Sequence, residues 1–129
     1  MCGMSKRVLV IDDDTGVRSM LRRALILDGF EVDTATDGFE GLRLAMEGHH
    51  DVIVLDYQMP GLDGLGVLRA LHTQGFDAPT VLLTGDDDPT LVAEAKLAGA
   101  AFFTRKPVSL AALSAILEAL INRTNQDQG

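Results

Sequence analysis

Four short apolar runs, each cut off by residues that bind metal or phosphate, constrain this chain more than any other feature. Val8–Ile11 stops at Asp12, Asp13 and Asp14; Val52–Leu55 stops at Asp56. Val81–Leu83 stops at Thr84 and Gly85, and Ala100–Phe103 is followed by Thr104, Arg105, Lys106 and Pro107. Each run is three or four residues long, too short for a helix and without a polar face. Such segments suit strands covered on both sides, as in a parallel sheet.

Between the runs the periodicity changes to that of helices. Asp14 or Thr15 can cap a helix in which Val17, Met20, Leu21, Ala24, Leu25 and Leu27 face inward and Gly29 gives the stop. Phe30–Ala35 alternates apolar and polar residues, as expected for a half-buried edge strand. Residues 37–47 read as a short helix with Phe39, Leu42, Ala45 and Met46 inward. Tyr57–Gly64, with its proline and glycines, reads as a loop, and Leu65–His72 as a helix on Leu65, Leu68 and Leu71. Asp88-Pro89 opens a further helix, since proline in the first turn loses no hydrogen bond, and Gly99 closes it. Ser109 caps a last helix carrying Leu110, Leu113, Ile116, Leu117, Leu120 and Ile121. Five strands alternating with five helices predict a doubly wound α/β fold, (βα)5, with a parallel sheet and helices on both faces.

Composition narrows the function. The chain has 129 residues, 47% hydrophobic and 23% charged, which fits one globular domain. We expect that domain over residues 6–121, with tails at 1–5 and 122–129. A net charge of −8 disfavours direct contact with nucleic acid or anionic lipid. No apolar run approaches the roughly 20 residues of a membrane span, and the opening MCGMSKR, with no apolar stretch behind its basic residues, is not expected to act as a secretory signal. Cys2, the one cysteine, has no internal disulfide partner and fits a cytoplasmic setting.

In an open parallel sheet, the carboxyl ends of the strands share one edge, where ligands bind. Three carboxylates, a hydroxyl and a lysine are thereby expected to meet. Crowded carboxylates raise one another's pKa unless a cation sits among them. Asp13 and Asp56, with a carbonyl and waters, make a hard-oxygen site suited to Mg²⁺. A lysine, and a hydroxyl beside a backbone N–H as at Thr84-Gly85, can stabilise a transferring phosphoryl group. A carboxylate nucleophile would yield an aspartyl phosphate.

The motifs VLVIDDD (8–14), VIVLDYQMPGLDG (52–64), VLLTG (81–85) and KP (106–107) stand in one order and spacing. With them the chain resembles the receiver domain of two-component response regulators over roughly Lys6 to Ile121. The resemblance implies the flavodoxin-like strand order 2-1-3-4-5. It implies Asp56 as phosphoacceptor, with Mg²⁺ (Mn²⁺ as a substitute) held by Asp13, by Asp12 through water, by Asp56 and by the backbone carbonyl of Gln58. Thr84 would move to the phosphoryl group and Phe103 would turn inward with it. Gly85 would offer its backbone, Lys106 would contact a phosphoryl oxygen, and the Lys106–Pro107 bond would be cis. The phosphodonor would be a histidine kinase or a histidine phosphotransfer protein. The output would pass from the fourth helix, fifth strand and fifth helix to a downstream protein or an effector domain. Such a domain catalyses only its own phosphorylation and dephosphorylation.

The chain also departs from the family. Many receivers carry an acidic pair before the switch aromatic, where Ala101 and Phe102 stand here, leaving an apolar patch in place of ion pairs. Gln58 and Asp86 occupy positions that tune phosphoryl lifetime in the family. Asp14 reads as a helix cap, Asp86–Asp88 as charge at a helix N-terminus, and His49, His50 and His72 as surface residues. Lys6, Arg7, Arg18, Arg22 and Arg23 make a basic face, read as solvated or as a kinase-docking surface. Two other functions fit parts of the pattern. A haloacid-dehalogenase-type phosphatase would use Asp12-Asp13-Asp14, but Gly16 stands where threonine or valine is usual, and the next acid after Lys106 is Glu118. A receiver-like binding module that takes no phosphate would be expected to lack a site residue, and none is absent.

Overall fold

The strands form because their side chains are apolar on both faces and the two faces are covered by different helices. In the computed structural model, which describes residues 6–85 and 88–128, five strands alternate with five helices. They are β1 (Arg7–Ile11), α1 (Thr15–Leu27), β2 (Glu31–Ala35), α2 (Gly38–Glu47) and β3 (Val52–Asp56). Then follow α3 (Gly64–Thr73), β4 (Thr80–Thr84), α4 (Pro89–Ala98), β5 (Phe102–Arg105) and α5 (Leu110–Gln128). All pairings are parallel, in the order β2-β1-β3-β4-β5 expected from the resemblance.

The period-two alternation of β1 and β3 divides the core. Leu9, Ile11, Ile53, Leu55 and Leu82 pack with α2, α3 and α4 through Ala45, Leu65, Leu68, Leu91 and Ala95. Val8, Val10, Val52, Val54, Val81 and Leu83 face the opposite way, onto Leu21 and Leu25 of α1 and Leu113, Leu117 and Ile121 of α5. Truncating one of these buried leucines to alanine costs about 2–5 kcal/mol, a large part of the stability of a domain this size.

Caps fix where the helices start. Asp14, Asp37, Asp63 and Asp88 each accept a hydrogen bond from a backbone N–H of the first turn. Ser109 does the same for Ala112 at the start of α5. Gly99 closes α4 with φ at 105°, a conformation that disfavours any side chain.

Several sequence expectations are corrected. Phe39 of α2 is 65% exposed and Met46 is also exposed, because Gly38, Gly41 and Ala45 take the inward positions. The approach is close: a Cβ on Gly41 would lie 2.6 Å from Ile11 Cδ1. On α1, Met20 and the 80% exposed Leu27 flank the buried stripe of Leu21 and Leu25 instead of joining it. The last strand begins at Phe102, later than expected, because Ala100 N–H still donates to Ala95 of the preceding helix. Helix α5 continues through residues 122–128, read as a tail from their polarity; the helix satisfies its own backbone without needing an apolar face there.

His50 is not a surface residue. Its side chain is 3% exposed, and its Nε2 lies 2.8 Å from Asp33 Oδ2. The ring fits because residue 48 is glycine, where a Cβ would fall 2.6 Å from His50 Cε1. His49 and His72 are exposed, as read from the sequence. The expectations for residues 1–5 (Cys2 included), for Asp86 and Asp87 and for Gly129 lie outside the described residues.

Candidate functional site at the carboxyl edge of the sheet

β1 and β3 lie side by side; Asp12 and Asp13 follow β1 directly and Asp56 ends β3, so the topology itself brings the three acids together. Their carboxylate oxygens lie within 4.8 Å of one another. Asp12 and Asp56 are buried, and Asp13 is exposed. β4 and β5 flank them and supply Thr84, Gly85 and, just beyond β5, Lys106.

Lys106 ties the two buried acids together. Its Nζ lies 3.0 Å from Asp56 Oδ1 and 3.1 Å from Asp12 Oδ2. Asp12 is held from two further directions: Asp14 N–H donates to its Oδ1 at 2.9 Å, and Arg18 Nη1 donates to its carbonyl at 2.8 Å. The Lys106–Pro107 peptide is cis, and Lys106 N–H donates to the Thr84 carbonyl at 2.7 Å.

Two upward shifts describe the electrostatics: one disfavours the charged form of the acid, the other favours the charged form of the lysine. Burial pushes the Asp56 carboxyl up to about 6; its bond to Lys106 pulls the other way, and the neighbouring Asp12 and Asp13 add to the rise. For Lys106, burial works against the ammonium. Its hydrogen bonds to Asp56 and Asp12 outweigh that, and its pKa stands above the usual lysine value. One ammonium therefore does not compensate the crowded acids, which is the setting in which a divalent cation binds.

The remaining expected residues surround this centre. Thr84 is fully buried at the end of β4, Gly85 is exposed beside it, and Phe103 is half-buried against the core cluster beneath α4. Gln58 is exposed in the loop after β3, with Tyr57, Met59, Pro60 and Asp63 around an open cleft. That loop is anchored at Gly64, whose N–H donates to the Tyr57 carbonyl at 2.9 Å. A Cβ on Gly64 would lie 2.6 Å from the Asp56 carbonyl oxygen, so glycine is required for the close approach. Asp14 acts as a cap, as read from the sequence.

Arg18 was read only as part of a basic face, and its contact with Asp12 was missed. The available signal was an arginine in the opening turns of a helix, where the macrodipole disfavours a cation unless it has a partner. Ala101 and Phe102 are exposed, so the apolar patch expected there is present. Among the described residues, no helix is long and apolar enough to cross a membrane.

Known proteins share this sequence and architecture. The family model described as the response regulator receiver domain matches residues 8–118. The chain is 43% identical over 126 residues to the response regulator MprA of Mycobacterium sp. (strain KMS), across 98% of this chain and 55% of that protein. It is 41% identical over 121 residues to MprA of Mycobacterium leprae (strain TN), across 94% of this chain and 53% of that protein. The chain thus spans about half the length of these curated relatives. A solved receiver domain from Clostridium thermocellum superposes with a TM-score of 0.88 at 34% identity, covering 94% of this chain and 98% of that one. The chemotaxis protein CheY4 of Vibrio cholerae does so with a TM-score of 0.86 at 32% identity, covering 91% and 99%. The chain belongs to the response regulator receiver domain family, the phosphoacceptor signalling domains of two-component systems.

Proposed function

We propose that Asp56 is the phosphoacceptor of a signalling switch that takes its phosphoryl group from the phosphohistidine of a kinase or a histidine phosphotransfer protein. The observation that carries this reading is the buried Asp56 carboxylate, 3.0 Å from Lys106 and grouped with Asp12 and Asp13. An Asp56 carboxylate oxygen attacks phosphorus, the P–N bond to imidazole breaks, and the departing imidazole takes up a proton. Lys106 follows the charge from the carboxylate to a phosphoryl oxygen. The Thr84 hydroxyl and the Gly85 N–H supply neutral donors to the other oxygens.

The acids fit a hard divalent cation, since every available donor is oxygen and the cluster carries more negative charge than Lys106 offsets. Asp13 and Asp56 would hold Mg²⁺ directly, with the Gln58 carbonyl, and Asp12 through water; Mn²⁺ would substitute. When bound, the ion supplies neutralisation of charge on the phosphoryl oxygens. The domain's only catalysis is then of its own phosphorylation and dephosphorylation.

The switch follows from differential binding. The phosphoryl group favours whichever arrangement of Thr84 and Phe103 gives it more donors, and Phe103, lacking a hydroxyl, acts through packing alone. The surface that changes is α4–β5–α5, where Ala101 and Phe102 present an apolar patch to a downstream protein or an effector domain. The donor meets the other side, at a groove between α1 and the start of α5 lined by Met20, Arg22, Arg23, Leu27 and Leu110. The setting is the cytoplasm, where two-component donors act.

The test is intact mass after incubation with acetyl phosphate and Mg²⁺. Wild-type chain is expected to gain one phosphoryl group and Asp56→Asn none. An unchanged wild-type mass, or equal labelling of the variant, overturns the assignment. Repeated turnover of a generic phosphate ester would instead favour a phosphatase.

A further inference from the structure

We propose that Arg18 is a positioning residue for the exposed carboxylate of Asp13, acting through the peptide that joins Asp12 to Asp13. This rests on the reading above that the acidic cluster holds a divalent cation. Asp12 needs no further help: both its side-chain oxygens are engaged, by Asp14 N–H and by Lys106 Nζ. Asp13 differs. Among the described residues, no donor is bonded to its carboxylate, so its direction is set by its own backbone.

That backbone is where Arg18 acts. Its Nη1 donates to the Asp12 carbonyl at 2.8 Å, and its Nη2 lies 3.4 Å from Thr15 Oγ1. The Asp12 carbonyl and the Asp13 N–H belong to one rigid peptide plane. Asp12 N–H is bonded to the Ala35 carbonyl at 3.2 Å, which fixes the strand side of the turn. The Arg18 bond fixes the other side, and with it the Cα from which the Asp13 side chain projects. The planar guanidinium spans the turn from the Asp12 carbonyl to the first helical residue, a reach that a single ammonium does not reproduce.

Arg18 is also a cation bonded to the backbone of one of the clustered acids, and it stands near the positive end of α1. Its charge alone would repel a second cation. Pinning and repulsion therefore predict opposite signs when the side chain is removed, which makes the proposal decidable.

The experiment is calorimetric titration of Mg²⁺ into the unphosphorylated chain at low ionic strength, for wild type, Arg18→Ala, Arg18→Lys and Arg69→Ala. Arg69 lies on α3, paired at the surface with Glu94 at 3.5 Å, and serves as the control. Arg18→Ala is expected to weaken Mg²⁺ binding by about tenfold, the lower range for residues that orient metal ligands. Arg18→Lys should recover part of that loss and Arg69→Ala should match wild type. Labelling by acetyl phosphate should slow at low Mg²⁺ and return to the wild-type rate at saturation, a change in the Mg²⁺ requirement without a change in the limiting rate.

Tighter binding by Arg18→Ala would leave only charge repulsion and overturn the proposal. So would unchanged affinity with a lowered unfolding temperature, which marks a merely structural role. If Arg18→Ala fails to fold, Arg18→Lys with wild-type affinity is the overturning result. Wild-type chain that binds no Mg²⁺ would defeat the underlying metal reading, and is distinguishable from wild-type binding that Arg18 does not influence.

Discussion

Two aspartates on the same sheet have opposite electrostatic fates. Asp33, on edge strand β2, is half-exposed and bonded to His50 at 2.8 Å and Arg7 at 2.9 Å. The His50 hydrogen bond chiefly, with Arg7 adding and burial opposing, holds its carboxyl below the usual aspartate value. Asp56, at the carboxyl end of central strand β3, is 4% exposed, and burial drives it up to about 6 despite its contact with Lys106. Solvent access, the His50 hydrogen bond and the Arg7 guanidinium make the first a stabilising latch. Burial among like charges makes the second a cost to the fold that a cation or a covalent phosphoryl group can alter. The difference teaches where to look for function: at the acid the fold tolerates, not the one it satisfies.

The sharpest way to break this comparison is chemical. Asp56→Asn should abolish labelling by acetyl phosphate, while Asp33→Asn should leave it at the wild-type level in an intact-mass assay. Equal loss in both variants would mean that the two aspartates do not differ in the way their surroundings suggest.

Stability gives the next largest contrast. Between about pH 4 and pH 6, the folded chain retains a proton on Asp56 that the unfolded chain releases, so this group lowers stability as pH rises through that window. Asp56→Asn should therefore stabilise the metal-free domain at neutral pH, by at most roughly 3 kcal/mol, with the gain fading below about pH 4. Urea unfolding at several pH values measures it, and destabilisation at neutral pH would contradict the assigned cost.

Adding Mg²⁺ should reduce the same cost from the other side. At about tenfold excess over its Kd, the ion should stabilise wild-type chain by about 1.4 kcal/mol, and Asp13→Ala should largely remove the effect. Thermal unfolding with and without the ion checks this. The smallest effect is expected at the latch. Asp33→Asn should cost about 1 kcal/mol at neutral pH, since exposure screens its ion pair with Arg7. The depressed Asp33 carboxyl contributes stability that is present above the unfolded value of 3.8 and lost as pH falls through the lower folded value, so wild type and variant should converge in acid.

Much of the site was legible in the sequence because each of its side chains ends a strand. An apolar run that stops at an aspartate announces both the strand and the group at its tip, and parallel order does the rest. Lys106 followed the same logic one step beyond β5, whereas the cis Lys106–Pro107 peptide came from the family resemblance. Less legible was the phase of the helices. Phe39 and Met46 look inward by hydrophobicity, yet Gly41 takes the place against Ile11 of β1 and Gly38 the place against Leu62 of the loop before α3, because α2 packs too closely there for larger side chains. The His50–Asp33 pair was hidden for another reason. It joins β2 to the turn before β3 across an intervening strand, and no local pattern encodes that contact. Arg18 was visible as a charge but not as a bond, because its acceptor is a backbone carbonyl rather than a side chain.

The central claim is that Asp56 is a strained acid relieved by a cation. Its most direct test is a carbon-detected NMR titration of the Asp56 side-chain carboxyl, with and without Mg²⁺. A midpoint near 6 is expected in the metal-free domain, with a clear fall when Mg²⁺ is added. An ordinary aspartate midpoint that Mg²⁺ leaves unmoved would contradict it.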